Sequence, residues 1–154
     1  MALVLLEGAV TAIDTYIKAN IAAKVAALNT EYGDTLLTVF KAYYLGNVPD
    51  EIPEYPSLCY QGDNWAPEKQ TKYNLEVADN IILWVYVGDQ DAAIRFKKLC
   101  RYARALVELL NTGEASYGYS HYLSGKIQLT DTIRSPSFLQ AIQIPIIVKK
   151  GESY

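Results

Sequence analysis

The chain has 154 residues, a formal net charge of −3 and a pI near 5.1, with 51% hydrophobic and 20% charged residues. That length suits one domain with its own core, and the composition excludes wholesale disorder. The acidic balance excludes a general electrostatic pull toward nucleic acid or anionic membrane, though not a local basic patch.

Met1 to Gly8 is apolar without a basic n-region, so no secretory signal is expected. Leu3, Leu6, Val10, Ile13, Ile17, Ile21, Val25 and Leu28 recur every three or four residues, which predicts a long helix over 1–29. Asn29 to Asp34, with Gly33, ends it. Thr35 to Leu45 fits either a short strand or a turn of helix. Pro49, Pro53 and Pro56 make 46–56 a connection, and Ser57 to Gln61 reads as a short strand. Asp63 to Gln70 reads as a polar loop around Trp65.

A long strand is predicted over Thr71 to Val87; its unbroken apolar half, Ile81 to Val87, requires burial on both faces or at an interface. Asp89 is the expected cap of a second helix, Gln90 to Asn111, closed by Asn111, Thr112 and Gly113. Its apolar stripe holds Phe96, Leu99, Cys100, Ala103, Leu106, Val107 and Leu110. Tyr117 to Gly125 reads as a loop and Lys126 to Arg134 as a strand. Phe138 to Lys149 is the last strand, at an edge or bulged because Pro145 cannot donate to a ladder. Residues 150–154 are expected to form a short tail. The longest uncharged run, Ser135 to Val148, is too short and too interrupted to span a bilayer. The expected whole is a single α+β domain over 1–154. It has a mainly antiparallel four-stranded sheet with both helices packed on it, in the order α-β-β-α-β-β.

Chemistry is sparse. Cys59 and Cys100 form no disulfide framework and suit a reducing compartment; Cys100, on the apolar stripe, is expected to be an inert buried thiol. The one histidine, His121, has no G-x-S-x-G turn to serve, and a lone loop histidine is more often a surface or interface residue. No spacing of His, Cys, Asp and Glu suggests a metal site, and no Gly-rich phosphate cradle is present. No catalytic residue, metal or cofactor is therefore expected. Arg95, Lys97, Lys98, Arg101 and Arg104 concentrate positive charge on the second helix; they suit a phosphate backbone or an acidic partner, although a solvated helix face is the commoner cause. Among 13 tyrosines, Tyr117, Tyr119 and Tyr122 cluster in the Gly/Ser-rich loop and are candidate interface residues.

One resemblance adds to this. An apolar strand ends at Val87-Gly88-Asp89, and a helix follows with Leu99-Cys100-Arg101-Tyr102-Ala103-Arg104-Ala105-Leu106. Ser137-Phe138-Leu139-Gln140-Ala141 opens an alternating terminal strand, and Ile52-Pro53-Glu54-Tyr55-Pro56 enters the first strand. Over about Ile52 to Val148 this ordering resembles the tail terminator and tail completion proteins of tailed bacteriophages. The resemblance implies a non-enzymatic virion protein, assembled in the bacterial host cytoplasm. It implies a hexameric ring between the tail tube protein on one side and the neck or head connector protein on the other. DNA would pass through the lumen without tight binding, and no membrane is involved. A ring needs two different complementary patches on each subunit.

Overall fold

In a computed structural model, residues 6–46, 54–69, 74–130 and 139–153 are described. Helix α1 spans Leu6–Tyr32 and helix α2 spans Ala92–Tyr117. Among the described residues there are six strands: β1 Ala42–Gly46, β2 Ser57–Lys69, β3 Asn74–Gly88, β4 Ser120–Leu123, β5 Gln128–Leu129 and β6 Leu139–Ser153. They form one sheet in the order β1-β2-β3-β6-β4, with β5 also on β6. The class is α+β with two helices, as the periodicities predict. The sheet, however, has six strands rather than four, and it is mixed, because β1 runs parallel to β2.

The apolar stripe of α1 is buried as its spacing requires: Val10, Ile13, Ile17, Ile21, Val25 and Leu28 all sit in the core. On α2 the buried stripe is Leu99, Tyr102, Ala103, Leu106 and Leu110, whereas Phe96 and Cys100, predicted to belong to it, are exposed. Both helices cover one face of the sheet. Leu58, Tyr60, Ile81, Leu83, Val85, Val87, Ile142, Ile144, Ile146 and Val148 meet them there in alternate positions. The other face carries a second cluster of Cys59, Tyr86, Leu139 and Ala141, with Tyr44, Tyr55 and Trp84 against it. Trp84 lies parallel to Tyr86 at 6.1 Å and donates from Nε1 to Gln61 Oε1 at 2.8 Å. Two-faced burial accounts for the unbroken apolar run of β3. It also pushes the Cys59 thiol up to about 12.

Several boundaries differ from expectation. Asp91, not Asp89, caps α2, its carboxylate accepting from the Ala93 and Ile94 amides at 2.9 and 3.2 Å. Asp89 instead accepts from the Asp91 amide. Helix α2 does not stop at Gly113. It continues to Tyr117 and closes on Gly118, which takes φ 83° and donates its N–H to the Glu114 carbonyl at 2.8 Å. The predicted polar loop over 63–70 is strand as far as Lys69, because β3 is long enough to pair with it. Strand β6 runs to Ser153, so 150–153 is ladder rather than tail. The ambiguous 35–45 segment ends in β1. Of the predicted strand 126–134, only Gln128–Leu129 is strand; residues 131–134 lie outside the described residues, as do 47–53 of the proline-rich connection.

Pro145 sits in a central strand, not at an edge. It falls between the stretch of β6 that pairs with β5 and the stretch that pairs with β4. Its carbonyl accepts from the Ser124 amide on that side. A residue's N–H and C=O point to the same side of a strand, so the missing donor faces the β4–β5 interruption and the β3 ladder loses nothing.

Gly113 is where α2 crosses Tyr16 of α1: a Cβ there would lie 2.2 Å from Tyr16 Cε1. A mid-helix Gly→Ala change ordinarily stabilises by about 0.5–1 kcal/mol. Here the sign should reverse, because the Tyr16 ring is held edge-on against Tyr117 at 5.8 Å. Gly113→Ala is expected to destabilise by about 1–3 kcal/mol in urea unfolding, and Tyr16→Ala should relieve the added strain.

Asp79 of β3 has no accessible surface, and neither carboxylate oxygen has a hydrogen-bond partner among the described residues. Burial raises its pKa from 3.8 to about 6. The folded state therefore binds this proton more tightly than the unfolded state, and stability falls as pH rises from 3.8 through about 6. Asp79→Asn should stabilise the protein at pH 7.5 by on the order of 2–3 kcal/mol, with the gain fading below pH 4. Urea midpoints measured across that range test it, and a pH-independent difference would count against it.

Candidate assembly surfaces

The basic face of α2 is mostly occupied from within. Arg95 donates from Nη1 to the Asp89 carbonyl at 2.9 Å and from Nε to Gln140 Oε1 at 3.1 Å. Lys98 pairs with Asp89 at 3.2 Å. Arg101 bonds Asp34 at 2.7 Å and lies 3.9 Å over the ring of Tyr32. Arg104 joins Glu31 at 2.7 Å and Glu108 at 3.0 Å, while Lys24 of α1 reaches Glu108 from the other side. Arg101 holds the Asp34 carboxyl below its usual range, and Lys24 with Arg104 does the same to Glu108. Lys97 is exposed and adds only its charge near Asp34. These cations therefore clamp α2 to the end of α1 and to the β3–α2 turn.

The three candidate tyrosines part company. Tyr117 and Tyr119 are buried in the main core, while Tyr122 on β4 is exposed. The Tyr117 hydroxyl donates to the Leu110 carbonyl at 3.1 Å and lies 2.7 Å from His121 Nδ1. His121 is on β4 rather than in a loop. Its Nδ1 also meets Glu114 at 2.8 Å, its Nε2 lies 3.1 Å from Asn111 Oδ1, and its backbone N–H donates to Glu114 Oε1 at 3.4 Å. Both ring nitrogens are thus engaged in holding β4 to α2. Burial, with the Glu114 charge nearby, pushes the Tyr117 phenol well up. Among the described residues, no three His, Cys, Asp or Glu side chains gather as a metal site, and no helix is long and apolar enough to cross a membrane.

Exposed apolar side chains gather at the two ends of the sheet, where Tyr122 alone of the predicted interface residues falls. At one end, Leu45 of β1 is 54% exposed and Val39 just before it 46%. At the other, Tyr122, Leu123, Ile127 and Leu129 are all 38–48% exposed along β4 and β5. Beside them, Val107, Leu110, His121, Leu123, Ile144 and Ile146 line an open groove of about 320 Å³ between α2 and the sheet. Exposed apolar side chains gathered at sheet edges make these candidate contact surfaces. The sequence signal was an apolar residue in each of two short segments, which periodicity cannot place on an edge.

No protein-family model matches this chain, and no curated protein sequence matches it either.

The clamp yields a direct discrimination. Replacing Arg95, Lys98 and Arg101 together by Ala should lower thermal stability, whereas a nucleic-acid surface would lose salt-dependent DNA affinity instead. Each exposed or half-exposed pair is worth about 0–1 kcal/mol, so a fall of a few degrees in Tm is expected. Unchanged Tm with lost low-salt DNA binding would contradict the clamp.

Proposed function

We propose that this chain is a structural virion protein of a tailed phage, a subunit of a hexameric ring that terminates the tail tube and joins it to the neck or head connector. One observation carries the contact role: the sheet ends in two unlike edges, each with exposed apolar side chains. A closed ring is built from a heterologous interface, in which one patch of a subunit meets a different patch of the next. The resemblance of 52–148 to tail terminator and completion proteins supplies the place of the ring in the particle. Another neck or head–tail adaptor layer has the same physical requirements and is the nearest alternative.

In this reading the chain is not an enzyme. The engagement of both His121 nitrogens supports that, since a general base needs a free nitrogen within reach of a substrate proton. A nucleic-acid-binding module on α2 is the second reading. The internal pairing of Arg95, Lys98, Arg101 and Arg104 argues against it, and fits DNA that passes without being held.

The test is native mass spectrometry with negative-stain imaging, on the protein alone and mixed with purified tail tubes. A closed ring is expected in at least one arm, with six copies favoured by the resemblance. A monomer in both arms would overturn the reading.

A further inference from the structure

Resting on the ring reading, we infer that the occupant of the β4–β5 edge is the β1 strand of a second copy of this chain, added antiparallel so that Leu45 seats in the groove beside α2. Four independent features of the fold agree on this join.

Direction comes first. Strand β1 is parallel to β2, β2 is antiparallel to β3, and β3 is antiparallel to β6, so β1 and β6 run the same way. Strands β4 and β5 run opposite to β6, and hence opposite to β1. A rotation that brings the β1 edge of one subunit to the β4–β5 edge of the next, with both sheets the same way up, gives an antiparallel pair. Antiparallel pairing is the slightly more stable arrangement per residue.

Facing comes second. Tyr43 and Leu45 are aligned with Leu58 and Tyr60, which point to the helices. Leu123 and Leu129 are aligned with Ile146 and Ile142, which point the same way. The exposed apolar side chains of both edges therefore stand on one face, as directly opposed residues in a sheet must.

Level comes third. Leu45 lies in the cross-strand row of Tyr60, Leu83 and Ile144. Leu129 lies two residues to one side, in the row of Ile142, and Leu123 two residues to the other, in the row of Ile146. Without any slide along the strands, the incoming Leu45 falls between Leu129 and Leu123. The groove at that level is walled by Ile144, Ile146 and Leu123. The most exposed leucine of one edge thus meets an apolar groove at the other.

The last feature is what the edges lack. Natural sheets protect free edges with charged residues, prolines or inward-pointing charges. The β1 sequence Ala-Tyr-Tyr-Leu-Gly has none of these, and 120–129 contains a single lysine, Lys126. Among the described residues, both edges are left fit for pairing. The His121–Glu114 contacts fix β4 to α2, so the acceptor edge is already in place before a second copy arrives.

The test uses full-length chains in a Cys100→Ser background, since Cys100 is exposed and Cys59 is buried. Under the conditions that give rings, Leu45→Cys and Leu129→Cys proteins are mixed and treated with a short thiol-to-thiol cross-linker. The mixture should give a covalent dimer that neither variant gives alone, and the double variant should give a ladder of multimers. In parallel, Leu45→Lys should keep the parent's Tm yet reduce the ring population by about tenfold or more. Rings that persist undiminished in Leu45→Lys, or Leu45→Cys chains that cross-link to themselves alone, would overturn this join while leaving the ring reading intact. Parent protein that never forms a ring, with or without tubes, would overturn both.

Discussion

Strand β3 is paired on both sides along its length, with β6 from Asn74 to Gly88 and with β2 from Leu75 to Tyr86, broken only by the shift at Gly62/Asn64. That double pairing fixes the parity of three strands at once. A one-residue slip would turn the slipped strand's own core residues (Leu58 on β2, Leu83 and Val85 on β3, Ile144 on β6) away from the helices, at a cost of about 1.5–3 kcal/mol for each side chain exposed. With the parity fixed, the helix face of the sheet is a continuous apolar surface, and two amphipathic helices are needed to cover it. Their mutual approach then decides small features. Gly113 must be bare because Tyr16 passes there, and the polar side of α2 comes to rest against the last turn of α1.

Two helices do not cover six strands. Helix α1 lies toward β2 and β3, and α2 toward β3 and β6. Leu45 at one end of the sheet and Leu123 and Leu129 at the other are left exposed on the helix side. A chain of this size has already buried most of the surface it can. What remains open is a pair of sheet ends of opposite direction and matched facing. A sheet left that way can be completed by its own opposite end in another copy, and repetition of that step by rotation closes a ring.

Much of this was legible in the residues, and the failures have physical causes. The helical stripes of α1 and α2 and the apolar run of β3 are strong periodic signals, and all three elements exist. The end of α2 was misread because Asn111-Thr112-Gly113 is ordinary stop chemistry, and only the Tyr16 ring explains why a glycine belongs mid-helix. Asp89 and Asp91 are both competent caps two residues apart, and the choice between them is made by the turn from β3. Strand β1 could not be assigned because its partner is a parallel strand across the 46–56 connection, a non-local pairing. The basic residues of α2 were correctly seen as a face. The partners of Arg101 and Arg104, namely Glu31, Tyr32 and Asp34, lie about 70 positions earlier in the chain, so that part of the face looked free when it is a clamp. The tyrosines show the limit of composition: Tyr117 and Tyr122 have the same chemistry five residues apart, yet the last turn of α2 holds one in the core and β4 presents the other to solvent.

The same clamp bears on how a ring built from this subunit would treat a polyanion. Affinity for DNA comes from releasing condensed counterions, and only cations not already neutralised by the protein can do that. Arg104 lies between Glu31 and Glu108, Lys24 shares Glu108, Arg101 holds Asp34 and Lys98 holds Asp89. These four cations face carboxylates, so the helix pair presents mixed charge rather than a wholly positive field, in a chain whose net charge is −3. Such a surface neither attracts a passing duplex strongly nor repels it as an acidic wall would. Under the proposed ring reading, near-neutrality at short range would let a polyanion pass wherever this face met it, and that property follows from the packing of α2 on α1.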